Sequence, residues 1–167
     1  MISLSNATLR RGSRTLLEKT TFTIFAGQRV GIVGKNGTGK SSMFQLLMGQ
    51  LHTDAGEASM PRNLAIATVA QETPGLPVPA LEYALDGDVE LRELERKLKI
   101  AEDKEDVDAI FNIHERLNQI GGYGARARAA QLLAGLGFPA DQQMNPVESF
   151  SGGWRMRLNL ARALMCP

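Results

Sequence analysis

The sequence predicts an α/β fold in which a phosphate-binding loop connects a strand to a helix. Three patterns support this class. In the first 60 residues, short apolar segments separated by turns are typical of strands. An apolar run at residues 30–33 leads into a glycine-rich loop. After residue 80, apolar residues recur every three or four positions, as in amphipathic helices. We therefore expect a sheet-containing first part and a helical second part.

The first part contains the expected strands and one helix. Strands are predicted at residues 1–9 and 20–25, where the sequence alternates or is continuously apolar, and at the buried run 30–33. Residues 40–51 place apolar side chains three and four apart and predict a helix with an uncertain end at Gly49. A further strand is predicted at residues 64–70.

Prolines at residues 74, 77 and 79 mark the predicted boundary of this first part, because proline lacks a backbone donor. The predicted division is a β/α core at residues 1–79, a helical subdomain at 80–138 and a final segment at 139–167. In the helical subdomain, two apolar stripes predict a pair of facing helices. Their members are Leu91, Leu94, Leu98 and Ala101, then Val107, Ile110, Phe111, His114, Leu117 and Ile120. We expect His114 to be a hydrogen-bonded packing residue.

The composition is that of a water-soluble globular protein. The 167 residues are 43% hydrophobic and 22% charged, and the formal net charge of +1 gives no global reason to expect a nucleic acid or membrane partner. Residues 80–120, however, carry twelve acids against six bases. Cys166, His52 and His114 lack the spacing of a zinc site. No secretory signal and no run of 18 apolar residues occurs, so a cytoplasmic protein without a membrane partner is expected.

One segment carries a specific chemical signal. It fits the pattern of glycine, four residues, glycine, lysine and then serine or threonine, and reads Gly34-Lys35-Asn36-Gly37-Thr38-Gly39-Lys40-Ser41. Glycines let several backbone N–H groups converge on phosphate oxygens, Lys40 supplies a positive charge, and Ser41 offers a hydroxyl to Mg²⁺. A chance glycine-rich turn is the alternative, but the apolar run before the loop and the helical pattern after it favour a nucleotide site.

A second motif opens the last predicted helix. Ser151-Gly152-Gly153-Trp154-Arg155 combines a favoured N-cap residue with two glycines, which expose backbone N–H groups at a helix start. Alone, this pattern is more typical of an ordinary capped helix. Together with the upstream loop it indicates a second phosphate contact.

The two motifs together resemble the ATP-binding cassette superfamily. The segment Phe150-Ser151-Gly152-Gly153-Trp154-Arg155-Met156-Arg157-Leu158 resembles the first cassette of ABC-F proteins, which are soluble factors with tandem cassettes. Gly135-Leu136-Gly137-Phe138 and Gln71-Glu72 are similar to the same subfamily, and the resemblance covers residues 1–167. It implies an ATP-binding cassette fold, incomplete here, with an antiparallel β edge and an inserted α-helical subdomain.

The resemblance also implies roles for matching residues. Gly34 to Ser41 and Ser42 would hold the phosphates of ATP, while Ser41 and Gln71 would approach Mg²⁺ and the attacking water. Ser151, Gly152 and Gly153 would face ATP held by a second cassette of the same parent chain, which makes a composite site. Cassettes usually place an aromatic residue where Arg11 stands; an arginine plane can also stack on adenine, or Arg11 is a surface charge.

The sequence reaches Pro167 without the apolar strand ending in Asp-Glu that cassettes use for Mg²⁺ and water. We therefore expect no catalytic residue in this polypeptide and negligible ATP turnover by it alone, which a steady-state phosphate-release assay checks.

The leading functional hypothesis is an ATP-dependent factor that acts on ribosomes. The acidic helical pair should repel RNA, so RNA contact would need a basic cluster such as Arg10, Arg11 and Arg14. The alternatives are the nucleotide-binding subunit of a membrane transporter and a nucleotide-binding module without turnover.

Overall fold

The computed structural model describes residues 1–61, 64–69 and 75–167. They form two compact units, Met1–Ile66 and Ala67–Pro167. The predicted division into three parts, with boundaries after residues 79 and 138, stays a prediction. None of the helices among the described residues is long and apolar enough to cross a membrane.

The first unit contains a three-stranded antiparallel sheet. Its strands are β1 (Ile2–Arg11), β2 (Arg14–Ile24) and β3 (Ala55–Ser59), in the order β2-β1-β3. The first two confirm the predicted strands and extend them, because the tight turn at Gly12, with a φ of +61°, joins them as a hairpin. The antiparallel edge predicted for this fold class is thus present. β3 was not predicted, since every one of its residues is exposed and it has no apolar alternation.

The helix α1 (Lys40–Leu47) packs on this sheet. Its buried Leu46 meets Leu4 and Ala7 of β1, and these three residues form a small core. The helix ends before the predicted residue 51, because Gly49 adopts the left-handed conformation that typically terminates helices.

Two predicted strands, 30–33 and the described part of 64–70, do not form; Ala70 lies outside the described residues. Residues 30–33 and 64–69 have no strand assignment, and the side chains of Val30 and Val33 are 58% and 93% exposed. A strand needs a neighbouring backbone to accept and donate its ladder hydrogen bonds. No described segment pairs with either run, so an apolar sequence alone does not make them strands.

The second unit is helical. It contains α2 (Ala80–Leu85), α3 (Val89–Asp103), α4 (Val107–Gln119), α5 (Ala125–Gly135) and α6 (Gly152–Leu164), with short 3₁₀ turns between some of them. The facing pair predicted from the apolar stripes is confirmed as α3 and α4. Each of the two begins at an aspartate that accepts a backbone N–H bond: Asp88 from Leu91 and Asp106 from Ala109, both at 3.0 Å.

The core of this unit lies among α2, α5 and α6. Phe138, Leu133, Leu158 and Val147 are fully buried there. The backbone of α6 touches the backbone of the corner between α2 and α3. A Cβ on Gly87, in that corner, would overlap the carbonyl oxygen of Arg162. Only glycine permits so close an approach.

His114 differs from the expectation. Its side chain is exposed, and Nδ1 lies 2.6 Å from the hydroxyl of Tyr123. The predicted hydrogen bond exists, but the packing role was wrong: α4 turns Ile110, Ile113 and Leu117 toward the rest of the unit, and His114 lies on another face.

Candidate nucleotide-binding site

The glycine-rich loop is shaped by residues in the left-handed region. Gly37 has a φ of +80° and Gly39 a φ of +101°, conformations that side chains rarely adopt. A Cβ on Gly39 would also lie only 3.0 Å from the Cβ of Leu16 in β2. The loop therefore packs against β2 and turns directly into α1, with Gly39 as the N-cap.

The start of α1 presents free backbone donors. The N–H groups of Lys40, Ser41 and Ser42 have no acceptor among the described residues, and the first helical bond runs from Met43 to the carbonyl of Gly39. No side-chain oxygen caps this end. Three converging donors and the positive end of the helix dipole create a binding site for an anion.

Lys40 adds the charge expected from the motif. Its ammonium donates to the carbonyl oxygens of Gly34, at 2.6 Å, and Lys35, at 2.8 Å. Thr38 donates its hydroxyl to the same Lys35 oxygen at 2.9 Å, which closes the loop on itself. A triphosphate would give the Lys40 ammonium stronger, charged acceptors than these neutral carbonyls.

Two adjacent serines differ in accessibility. Ser41 is exposed at the mouth of the loop, whereas Ser42 is buried. The exposed Ser41 hydroxyl is a suitable ligand for Mg²⁺, which prefers oxygen ligands. Phosphate oxygens and waters would complete the coordination of the ion. In the described part of the chain no cluster of His, Cys, Asp and Glu side chains could hold a metal without the nucleotide. Gln71, the other predicted Mg²⁺ residue, lies outside the described residues.

The hairpin turn contributes a cation that the motif does not include. Arg11 pairs with Arg14 across the turn, and the Arg14 Nη1 lies 3.7 Å from the position of a Cβ on Gly37. Arg14 thus stands beside the phosphate loop. Arg11 is exposed in the same turn, which is compatible with stacking on a base but does not test it. Sequence reasoning missed Arg14 because the contact joins two segments that only folding brings together.

The second motif forms an open helix start in the second unit. Ser151 is the N-cap of α6, and the N–H groups of Gly152, Gly153 and Trp154 have no acceptor among the described residues. A Cβ on either glycine would meet no atom within 4 Å. Packing within the described chain therefore does not require glycine at these positions.

Aromatic side chains hold this helix start in place. The ring of Trp154 packs edge to face on buried Phe138 at 4.8 Å between centroids, and Phe150 does the same at 5.3 Å. The guanidinium of Arg157 lies over the ring of Trp154, with its Cζ 4.8 Å from the ring centroid. Trp154 is thus a packed residue that orients the exposed Ser-Gly-Gly segment.

Comparisons with known proteins show what the chain is similar to. The family model described as ABC transporter matches residues 17–167. The "Probable ATP-binding protein YheS" of Escherichia coli K12 is 51% identical over 166 residues, which are 99% of this chain and 26% of that protein. The ATP-binding cassette sub-family F member 3 of Rattus norvegicus is 34% identical over 171 residues, 98% of this chain and 23% of that protein.

Among solved structures, an ATP-binding subunit of an ABC transporter superposes with a TM-score of 0.66 at 16% identity, covering 99% of this chain and 62% of that one. At that identity the match shows the fold alone. The chain spans about a quarter of the length of the curated relatives it matches. The chain contains the phosphate loop and the Ser-Gly-Gly helix start, and the family model matches most of its length. It therefore belongs to the ABC transporter family, as an ATP-binding cassette of the ABC-F type.

Proposed function

We propose that this cassette binds Mg-ATP at an interface with a second cassette of its parent protein, and that the parent is a ribosome-associated translation factor with ATPase activity. The proposed interface with a second cassette rests on the open start of α6. Within the part of the chain that the structure describes, its first amides have no acceptor and no atom lies within 4 Å of a Cβ built on either glycine. A phosphate group brought by another cassette would supply the missing acceptors.

The first residues of α1 have separate tasks in this proposal. The amides of Lys40, Ser41 and Ser42 and the Lys40 ammonium would bind and orient the β- and γ-phosphates. The exposed Ser41 hydroxyl would hold Mg²⁺, which neutralises charge that develops during phosphoryl transfer. The residues of this chain thus bind and position the nucleotide.

The composite site is tested by adding bulk to the open helix start of the full-length parent. Gly153→Leu should leave the free energy of unfolding of this cassette nearly unchanged, because no atom lies within 4 Å of the new Cβ. It should lower ATP affinity and turnover at least tenfold, since the side chain occupies the space assigned to the nucleotide. Gly135→Leu, equally open but at the C-terminal end of α5, is the matched control. Equal activity of both variants would contradict the composite site.

The ribosomal role is supported by the ABC-F type of the chain and is tested by cosedimentation. Full-length parent with ATP trapped should sediment with ribosomes, and the association should weaken as salt rises. Lys40→Ala should abolish the dependence on ATP, while Lys99→Ala, an exposed lysine on α3, should not. Absence of sedimentation with ATP trapped would remove the ribosomal role, and copurification with a membrane protein would favour a transporter subunit instead.

A further inference from the structure

One face of α4 carries an exposed row of apolar and aromatic side chains. Val107, Phe111 and His114 follow one another along this face, and Tyr123 from the next turn stacks on His114; we call these four residues the aromatic stripe. Val107, Phe111 and Tyr123 are 75%, 67% and 65% exposed. Single exposed apolar residues are common, but a contiguous row of them indicates a contact surface.

The aromatic stripe lies apart from the buried core of the second unit. The opposite side of α4 already supplies Leu117 to the core, with Ile113 packed against it. The ring of His114 lies at 20° to that of Tyr123, and the two are hydrogen-bonded at 2.6 Å, so each ring restrains the other. Such preorganised rings lose little conformational entropy when a partner covers them.

The charges around the stripe are of one sign. Residues 102–115 contain six carboxylates and one lysine, and among the described residues none of the six carboxylates forms an ion pair. Asp108 and Glu115 border the stripe on α4 itself. By contrast, Glu82, Glu90 and Glu93 nearer the start of α3 are each paired with an arginine. The unpaired acids therefore concentrate where the apolar side chains are exposed.

We propose that the aromatic stripe and its bordering carboxylates bind a basic protein segment, such as a lysine-rich helix or tail with a few aliphatic residues. Its cations would meet Asp108, Glu115 and the acidic turn at residues 102–106, and its apolar side chains would cover Phe111 and Tyr123. RNA or an anionic membrane would be repelled by the same carboxylates. This inference involves no nucleotide and goes beyond the proposed function.

The test measures fluorescence anisotropy of labelled probes with the 167-residue chain. The probes are an amphipathic helical peptide of about 16 residues, roughly the length of α4, with lysines on one face and leucines on the other, a lysine-only peptide of equal charge, and an RNA duplex. We expect the lysine-leucine peptide to bind at least tenfold more tightly than the other two.

Phe111→Asp separates apolar docking from simple charge attraction. It adds a negative charge, so attraction alone would strengthen peptide binding, whereas loss of the apolar contact should weaken it about tenfold. Val89→Asp adds the same charge at an equally exposed apolar position of α3 outside the stripe and should change affinity less than about twofold. Asp108→Lys should also weaken binding, and circular dichroism should show unchanged helix content in all three variants.

Three results would overturn the proposal. They are unchanged or tighter peptide binding by Phe111→Asp, equal binding of both peptides by the unaltered chain, and stronger binding of the RNA duplex than of the peptides. Since neither ATP nor ribosomes are present, these results are independent of the cosedimentation experiment.

Discussion

At the scale of single residues, Arg14 is a candidate addition to the nucleotide site that the sequence motif does not include. Its guanidinium lies beside Gly37, which belongs to the same loop that leads into the α1 amides. Arginine can donate to phosphate oxygens in a bidentate manner, which the Lys40 ammonium cannot. The site therefore contains a cation from β2 as well as the cations of the loop.

Replacing Arg14 tests this addition. Arg14→Ala should weaken ATP binding about three- to tenfold, because one charge-assisted hydrogen bond is lost. Arg14→Lys should recover part of the loss by keeping the charge. Arg10→Ala, which removes an equally exposed arginine from the neighbouring strand, serves as the control and should change the Kd less than about twofold. Isothermal titration measures all three, and equal effects of Arg10→Ala and Arg14→Ala would assign Arg14 to general surface charge.

At the scale of elements, Glu82 connects three helices of the second unit. Its carboxylate accepts hydrogen bonds from Arg92 of α3 at 2.7 Å and from Arg126 of α5 at 2.6 Å. The Arg92 hydrogen bond is the main reason that the pKa of Glu82 lies below its usual range, and it outweighs the opposing effect of partial burial. Protonation of Glu82 would therefore loosen the attachment of α2 to both neighbours.

The free energy of unfolding should change with pH because of the Glu82 carboxylate. A group with a lowered pKa contributes stability above its ordinary pKa, and the contribution disappears as the pH falls through the lowered value. Glu82→Gln should reduce the free energy of unfolding by roughly 1–2 kcal/mol at neutral pH, after allowance for its partial exposure. The difference from the unaltered chain should shrink below about pH 4.

Urea denaturation at several pH values measures the difference. Glu102→Gln, on an exposed carboxylate of α3 with no ion pair in the described part of the chain, should show no comparable loss. A Glu82→Gln deficit that stays constant down to pH 3 would mean that the charge of Glu82 is not its source.

The elements also show where sequence reasoning succeeds. α3 and α4 could be predicted because each repeats apolar residues at helical spacing, and such a helix buries its own stripe against a near neighbour. The loop from Gly34 to Ser41 could be predicted because its chemistry is local.

Other features depend on distant parts of the chain. Residues 30–33 have strand composition, but pairing with another segment decides whether they form a strand. β3 is a strand only because β1 lies beside it, and Arg14 reaches Gly37 only through the hairpin. His114 has the right spacing for the core stripe, yet the rotation of α4 leaves it exposed.

At the scale of the whole chain, the two units have very different cores. The first contains a small buried cluster of Leu4, Ala7 and Leu46, and leaves Val30 and Val33 exposed. The second buries a much larger cluster that includes Phe138 and Leu133. Because buried apolar area is the main source of stability, the second unit should resist local unfolding more strongly.

Hydrogen exchange should resolve this difference. Amides of β1, β2, β3 and α1 should lose protection at lower urea concentration than those of α2, α5 and α6. Leu46→Ala should further reduce protection in the first unit, whereas Leu133→Ala should reduce it in the second, each by about 2–5 kcal/mol. A single concentration at which all amides lose protection would contradict this prediction.

The contact at Gly87 has a mechanical consequence. Its backbone touches the Arg162 carbonyl of α6 without a side chain between them. Any larger residue at position 87 would have to push α6 away from the corner where α3 begins, and the packing around the buried Leu158 of α6 would open with it.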